Sequence, residues 1–136
     1  VGAEMCIRDS HLTNQIKFID HCKDMALAYK ISDIVISPSI EPEAFGRVAV
    51  EAQSMEKLII ASNIGGSNET IIDGKTGLLF EAGDPNSLSK RIIQAVTLDE
   101  SSYKRMGKEG RKNIAKKFNV EKMCFSTYSE YKRLLN

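Results

Sequence analysis

In the stretch EPEAFGRVAVEAQ, Glu41 to Gln53, two carboxylates flank the start of a helical pattern. Glu43 precedes the helix, Gly46 sits in its first turn and Glu51 lies further along, with seven residues between the two acids. Val48, Ala52 and Met55 recur at i, i+4 and i+7 and mark the side that packs on the rest of the protein. Glu51 falls within that stripe, and a carboxylate on a packed face must find donors or bear a desolvation cost on the order of several kcal/mol. Sugar hydroxyls are suitable donors. Gly46 leaves the first N–H groups of the helix open to a ligand, and such a terminus favours an anion, phosphate above all. Two acceptor carboxylates around a phosphate-favouring terminus match the ribose, diphosphate and sugar of a nucleotide-sugar. The same residues have a plainer reading, in which Glu43 merely favours the helix dipole and Glu51 pairs with Arg47 at i, i+4.

The elements that must position these residues follow from the pattern. Ile16–Ile19 reads as a strand and Asp24–Tyr29 as a short helix. Asp33–Ser37, a β-branched run closed by Pro38, reads as a buried strand. A helix is expected from Phe45 to Met55, a buried strand at Leu58–Ser62, a turn at Ile64–Asn68, a short helix over Glu69–Ile72, and a strand in LLF after the DGKTG turn. Asp84-Pro85 is a helix start, an N-cap acid followed by proline at the first helical position. Further helices are predicted over Ser101–Lys117 and Val120–Leu135. Strands alternating with helices give an α/β class, a Rossmann-like parallel sheet flanked by helices, with helices at the C-terminus. Ligands of open parallel sheets bind beyond the carboxyl ends of the strands, where the loop Pro38–Ala44 lies. Gly65 and Gly66 open the next helix at the same edge, either for close backbone approach to a ligand or for a turn needing positive φ. Gly74 and Gly77 read as turn chemistry, Ser37, Pro38 and Ser39 as shaping the loop, and His21 as structural.

Composition narrows the classes. The chain has 136 residues, 42% hydrophobic and 27% charged, as a single soluble domain would. A net charge of +1 gives no basic field, so no nucleic-acid partner is expected. Cys6, Cys22 and Cys124 are widely spaced, without a ligand pattern for zinc or a disulfide framework, and a reducing cytoplasm is the simplest compartment. No apolar run approaches membrane-spanning length. No G-x-G-x-x-G or G-x-x-x-x-G-K-[ST] occurs, which argues against a dinucleotide-dependent oxidoreductase and a P-loop enzyme. VGAEMCIRDS, residues 1–10, shows no period or cap and reads as a non-native or disordered leader, leaving 11–136 as the domain.

The chain after Gln15 resembles the retaining glycosyltransferases of family four, which have the GT-B fold. The resemblance rests on EPEAFGRVAVEAQ, on HCKDMALAYKISDIVISPS before it and on ASNIGGSNETIIDGKTGLLFEAGD after it. It implies that the domain is the C-terminal, donor-binding half of a GT-B fold, and the wording around the signature is most similar to bacterial enzymes of lipopolysaccharide and surface glycans. It further implies that Glu43 contacts hydroxyls of the transferred sugar, which makes it the catalytic candidate. Phe45 and Gly46 would offer backbone N–H groups to the sugar and diphosphate, with Ala44 and Arg47 beside them in the donor-binding stretch. Glu51 would hold the ribose hydroxyls, and Gly65 and Gly66 would lie against the donor. Transfer would need no metal or other cofactor. The acceptor, a glycan or a lipid-linked molecule, would be met through an N-terminal domain, in a cytoplasmic setting or at the inner face of the membrane. Glu56 and Leu58 stand where the family commonly has glycine and proline, and Asp20 where it has glycine. The family's phosphate-binding Arg and Lys lie upstream of the matched residues, so this stretch alone is expected to turn over little. A stand-alone, non-catalytic nucleotide-sugar-binding module is the alternative.

Overall fold

The computed structural model describes residues 12 and 14–135; the leader 1–10 lies outside them. The centre of the fold is the strand β2 (Leu58–Ser62), whose five residues are all buried. It runs parallel to β1 (Ile34–Ser37) on one side and to β3 (Leu78–Phe80) on the other. Ile34 is in register with Leu58 and Ser37 with Ala61; across the other ladder Ile60 meets Leu78 and Ser62 meets Phe80. Successive side chains of a strand point to opposite faces, so β2 feeds two cores. Ile59 and Ala61 join Tyr29, Ala49, Ala52 and Ile71 on one face, while Leu58 and Ile60 join Leu78, Phe80, Ala95 and Met106 on the other. Each large side chain so buried contributes roughly 1.5–3 kcal/mol.

The helices begin where their caps dictate. In α1 (Met25–Ile31) Asp24 accepts from the Leu27 N–H at 2.9 Å. α2 (Arg47–Ser54) follows β1 and starts after Gly46, which is left-handed at φ 71°. Its end is a Schellman turn: Glu56 N–H donates to the Gln53 carbonyl at 3.0 Å and Lys57 N–H to that of Ala52 at 2.9 Å. The residue at the left-handed position of that turn is Glu56, at φ 57°. The short α3 (Ser67–Thr70) follows β2, and α4 (Pro85–Val96) follows β3 with Asp84 as the expected cap, accepting from Asn86 N–H at 2.8 Å. α5 (Glu100–Lys117) runs antiparallel along α2. A Cβ at Gly107 would lie 2.2 Å from the Glu56 oxygen and one at Gly110 3.1 Å from Gln53 Cγ, while Asn113 donates to the Thr70 carbonyl at 3.1 Å. Gln53, fully buried, donates to the same Thr70 carbonyl and to that of Ala49, each at 3.1 Å, tying α2 to α3. α6 (Val120–Leu134) buries none of its residues.

Four expectations change. Ile16–Ile19 forms no strand: Phe18 and Ile19 are 54% and 73% exposed, and an apolar run without a ladder partner has nothing to hold it extended. β1 is not a buried strand but an edge strand among the described residues, with Ile36 38% exposed, because β2 pairs with it on one side only. The expected helix 45–55 starts at Arg47, since the left-handed Gly46 cannot be a helical residue, and the short helix expected over Glu69–Ile72 lies at Ser67–Thr70.

Candidate functional site

Two loops leave the carboxyl edge of the sheet side by side, one from β1 to α2 and one from β2 to α3. They touch backbone to backbone. Gly66 N–H donates to the Glu43 carbonyl at 2.8 Å. A Cβ at Gly65 would fall 2.6 Å from that oxygen, and one at Gly66 2.4 Å from the Phe45 carbonyl carbon. The space these glycines leave is therefore taken by the loop that carries Glu43, Ala44 and Phe45. Gly65, at φ 57°, also satisfies a turn of positive φ, whereas Gly66 is glycine for proximity alone. Of the other glycines, Gly74 is a turn residue at φ 71° with open space around it. Gly77 departs from the turn reading, since a Cβ there would fall 2.6 Å from Ile59 Cγ2, and packing against β2 excludes a side chain.

Glu43 is exposed on this edge and accepts from the Ser39 hydroxyl, so Ser39 does more than shape the loop. Ala44 is exposed next to it, and Phe45 meets Phe118, at the end of α5, in a T-shaped ring pair with centroids 5.5 Å apart. Gly46 is buried, and no side chain caps α2. The first N–H groups of α2 thus meet the carboxyl edge beside an exposed carboxylate. Arg47, the first helical residue, carries a side chain 83% exposed.

Glu51 sits one turn further along α2 and is half-buried, its side chain 35% exposed. Its carboxylate already has protein donors: the Tyr29 hydroxyl at 2.9 Å on Oε2 and Arg47 at 3.0 Å on Oε1. A carboxylate on a packed face needs donors, and here two come from the protein itself, the i, i+4 pair with Arg47 among them. Tyr29 is 5% exposed. Burial, then the hydrogen bond and charge of Glu51, push its hydroxyl up to about 12, so it remains a donor across the neutral range. A shallow depression of about 330 Å³ opens between α1 and α2 beside these groups. Glu43 and Glu51 share no hydrogen-bond partner among the described residues; Glu43 lies in the loop before α2 and Glu51 in its second turn. Tyr29 was missed from sequence, although a tyrosine in the mostly apolar helix MALAYKI, apolar in body and polar at its tip, was the available signal. His21 is exposed in the segment that forms no strand. Among the described residues no three His, Cys, Asp or Glu side chains gather as a metal site would, and no helix is long and apolar enough to cross a membrane.

A three-stranded parallel sheet with helices on both faces and its polar loops at the carboxyl edge is the Rossmann-like half of a GT-B fold, and solved structures of that class superpose on it. The crystal structure of a glycosyltransferase from Rickettsia africae does so with a TM-score of 0.91 at 36% identity, covering 98% of this chain and 35% of that one. HepE of Anabaena, solved in complex with UDP-glucose, gives 0.85 at 25% identity over 94% of this chain and 35% of its own. A capsular polysaccharide biosynthesis glycosyltransferase of Staphylococcus aureus is 30% identical over 120 residues, 88% of this chain and 31% of the relative. The sequence profile of the glycosyl transferases group 1 matches residues 4–113. The chain belongs to that family. It spans about a third of the length of the relatives it matches.

Proposed function

We propose that this chain forms the donor-binding part of a retaining glycosyltransferase and holds a nucleoside-diphosphate sugar across the N-terminus of α2. The observation that carries the reading is the uncapped start of α2 at the carboxyl edge of the sheet, with Glu43 on one side and Glu51 on the other. In this reading the N–H groups around Phe45 and Gly46 receive the diphosphate, whose charge grows as the sugar leaves, so that donors fixed in advance lower the barrier. Glu43, oriented by Ser39, accepts from hydroxyls of the transferred sugar, and Glu51 accepts from the ribose. Arg47, on an exposed arm, neutralises charge on either Glu51 or the diphosphate. Gly65 and Gly66 serve the donor by seating the Glu43 loop. Ala44 contributes its backbone beside the sugar.

The relatives are about three times as long as this chain, and we assign acceptor binding and closure over the donor to the further length. A glycan or lipid-linked acceptor, a role in bacterial surface polysaccharide, a cytoplasmic location and transfer without a metal belong to the same proposal. On it, the residues described here bind donor but turn over slowly by themselves, since water exclusion requires a second domain to close.

UDP-glucose is the first probe, being the ligand of the Anabaena relative. Calorimetry should show binding by the unaltered chain, and both Glu51→Ala and Glu43→Gln should weaken it by about tenfold, the loss of one or two charge-assisted hydrogen bonds. Unchanged affinity in both variants would refute the site.

A further inference from the structure

We propose that Tyr29 is a positioning residue for the donor site, its hydroxyl fixing the Glu51 carboxylate so that it presents accepting oxygen to the ribose hydroxyls; this rests on the donor-binding reading above. Tyr29 and Glu51 are 22 residues apart in the chain, and the contact is a direct hydrogen bond of 2.9 Å from a ring that is 5% exposed. Around the same carboxylate the second donor, Arg47, is of a different kind: its side chain is 83% exposed and its bond to Oε1 is an i, i+4 surface pair. Surface pairs of this sort contribute about 0.5 kcal/mol or less. The two oxygens are thus held unequally. Oε2 is bonded by a buried ring with little freedom, while Oε1 is covered by an arm that a hydroxyl can displace at little cost.

An ionised carboxylate has about four lone-pair directions, and the two protein donors leave room for a cis-diol. What the diol needs is a carboxylate that does not rotate, because two neighbouring hydroxyls fit only one orientation of it. Glu has three rotatable side-chain bonds and, half-exposed at the second turn of α2, would otherwise sample several rotamers, each of which must be given up on binding. The Tyr29 hydroxyl removes that freedom before the ligand arrives. The ring itself is anchored in the core formed with Ala49, Ala52 and Ile59, so the orientation of Glu51 is set by the packing of α1 on α2 and the sheet.

Two probes that differ only at the ribose, UDP and 2′-deoxy-UDP, test this by calorimetry on the unaltered chain, Tyr29→Phe, Glu51→Ala and the double variant. The unaltered chain should favour UDP on the order of tenfold, the loss of one hydrogen bond to a half-exposed carboxylate. Tyr29→Phe keeps the ring and the packing but should lose most of that preference, and in the Glu51→Ala background it should change nothing more. A preference retained in Tyr29→Phe would overturn the proposal, as would a further loss in the double variant, since Tyr29 would then act through some other group. Binding of UDP without preference by the unaltered chain would instead remove the ribose role of Glu51, and the proposal with it. A ligand-free arm uses Glu51→Gln: followed by tyrosinate absorbance, Tyr29 should ionise at lower pH than in the unaltered chain. No change there would show that the hydroxyl is not committed to Glu51 in solution, and would also overturn the proposal.

Discussion

Replacing Glu56 by glycine should stabilise the protein. Glu56 occupies the left-handed position of the turn that ends α2, at φ 57°, with its N–H bonded to the Gln53 carbonyl. In that conformation a Cβ crowds the following carbonyl at a cost of about 1–2 kcal/mol, from which glycine is exempt. Glycine brings its own penalty, roughly 0.4–1 kcal/mol of extra chain entropy in the unfolded state. The ion pair with Arg111 is lost too, but at 3.8 Å between side chains 61% and 43% exposed it contributes little. The net gain is about 0.5–1 kcal/mol, or roughly 2–4 °C in melting temperature for a chain of this size. Thermal and urea unfolding followed by circular dichroism would read it, with Glu56→Asn intermediate, because asparagine tolerates the left-handed region, and Glu56→Val below the unaltered chain. Glu56 lies at the opposite end of the sheet from the Glu43 loop, so UDP-glucose affinity should not move. A melting temperature that falls or stays constant on Glu56→Gly would refute the assignment of strain.

Three further outcomes follow from the packing and the titration. Gly66→Ala places a methyl carbon about 2.4 Å from the Phe45 backbone; forcing the two loops apart should destabilise by about 2 kcal/mol or more and abolish UDP-glucose binding in calorimetry. Gly107→Ala meets the Glu56 carbonyl at 2.2 Å and should lower the melting temperature through displacement of α5 while leaving the binding site chemistry in place. Tyr29 ionises in the folded state at about 12, above the ordinary value of 10.0. A group whose folded value is raised contributes stability in full below its unfolded value and loses it as pH rises through the folded one. Alkaline denaturation between about pH 10 and 12 should therefore carry a component that disappears in Tyr29→Phe, seen as a shallower fall of melting temperature with pH.

The parts of the fold that could be read from sequence are those set by local chemistry. Four consecutive apolar residues, Leu58–Ala61, read as a buried strand, and Asp84-Pro85 starts α4 because an accepting side chain and a fixed φ suffice for that. The pairing of Glu51 with Arg47 was equally local, one turn of helix apart. What sequence could not show arises from chain segments meeting at a distance. Ile16–Ile19 has the residues of a strand but no described neighbour to pair with. The contact of Tyr29 with Glu51 depends on how α1 lies on α2, and no spacing within either segment encodes it. Gly77 looks like a turn glycine beside Gly74, and only the position of Ile59 reveals that one serves conformation and the other clearance. Gln53, in the same helix as Glu51, is polar and wholly buried because Thr70 and Ala49 offer carbonyls to it, which an amphipathic pattern does not report.

The contact between the two carboxyl-edge loops has a bearing on attempts to redirect specificity. A loop that leans on a neighbour through bare backbone cannot be reshaped alone: each insertion or larger residue at Gly65 or Gly66 is also a displacement of Glu43 and of the helix start behind it. Libraries randomised across both loops would consist mainly of unfolded members. The productive diversity lies in side chains that project from the seam without widening it, Ala44 above all, where size and polarity can vary while the scaffold beneath stays at its present separation.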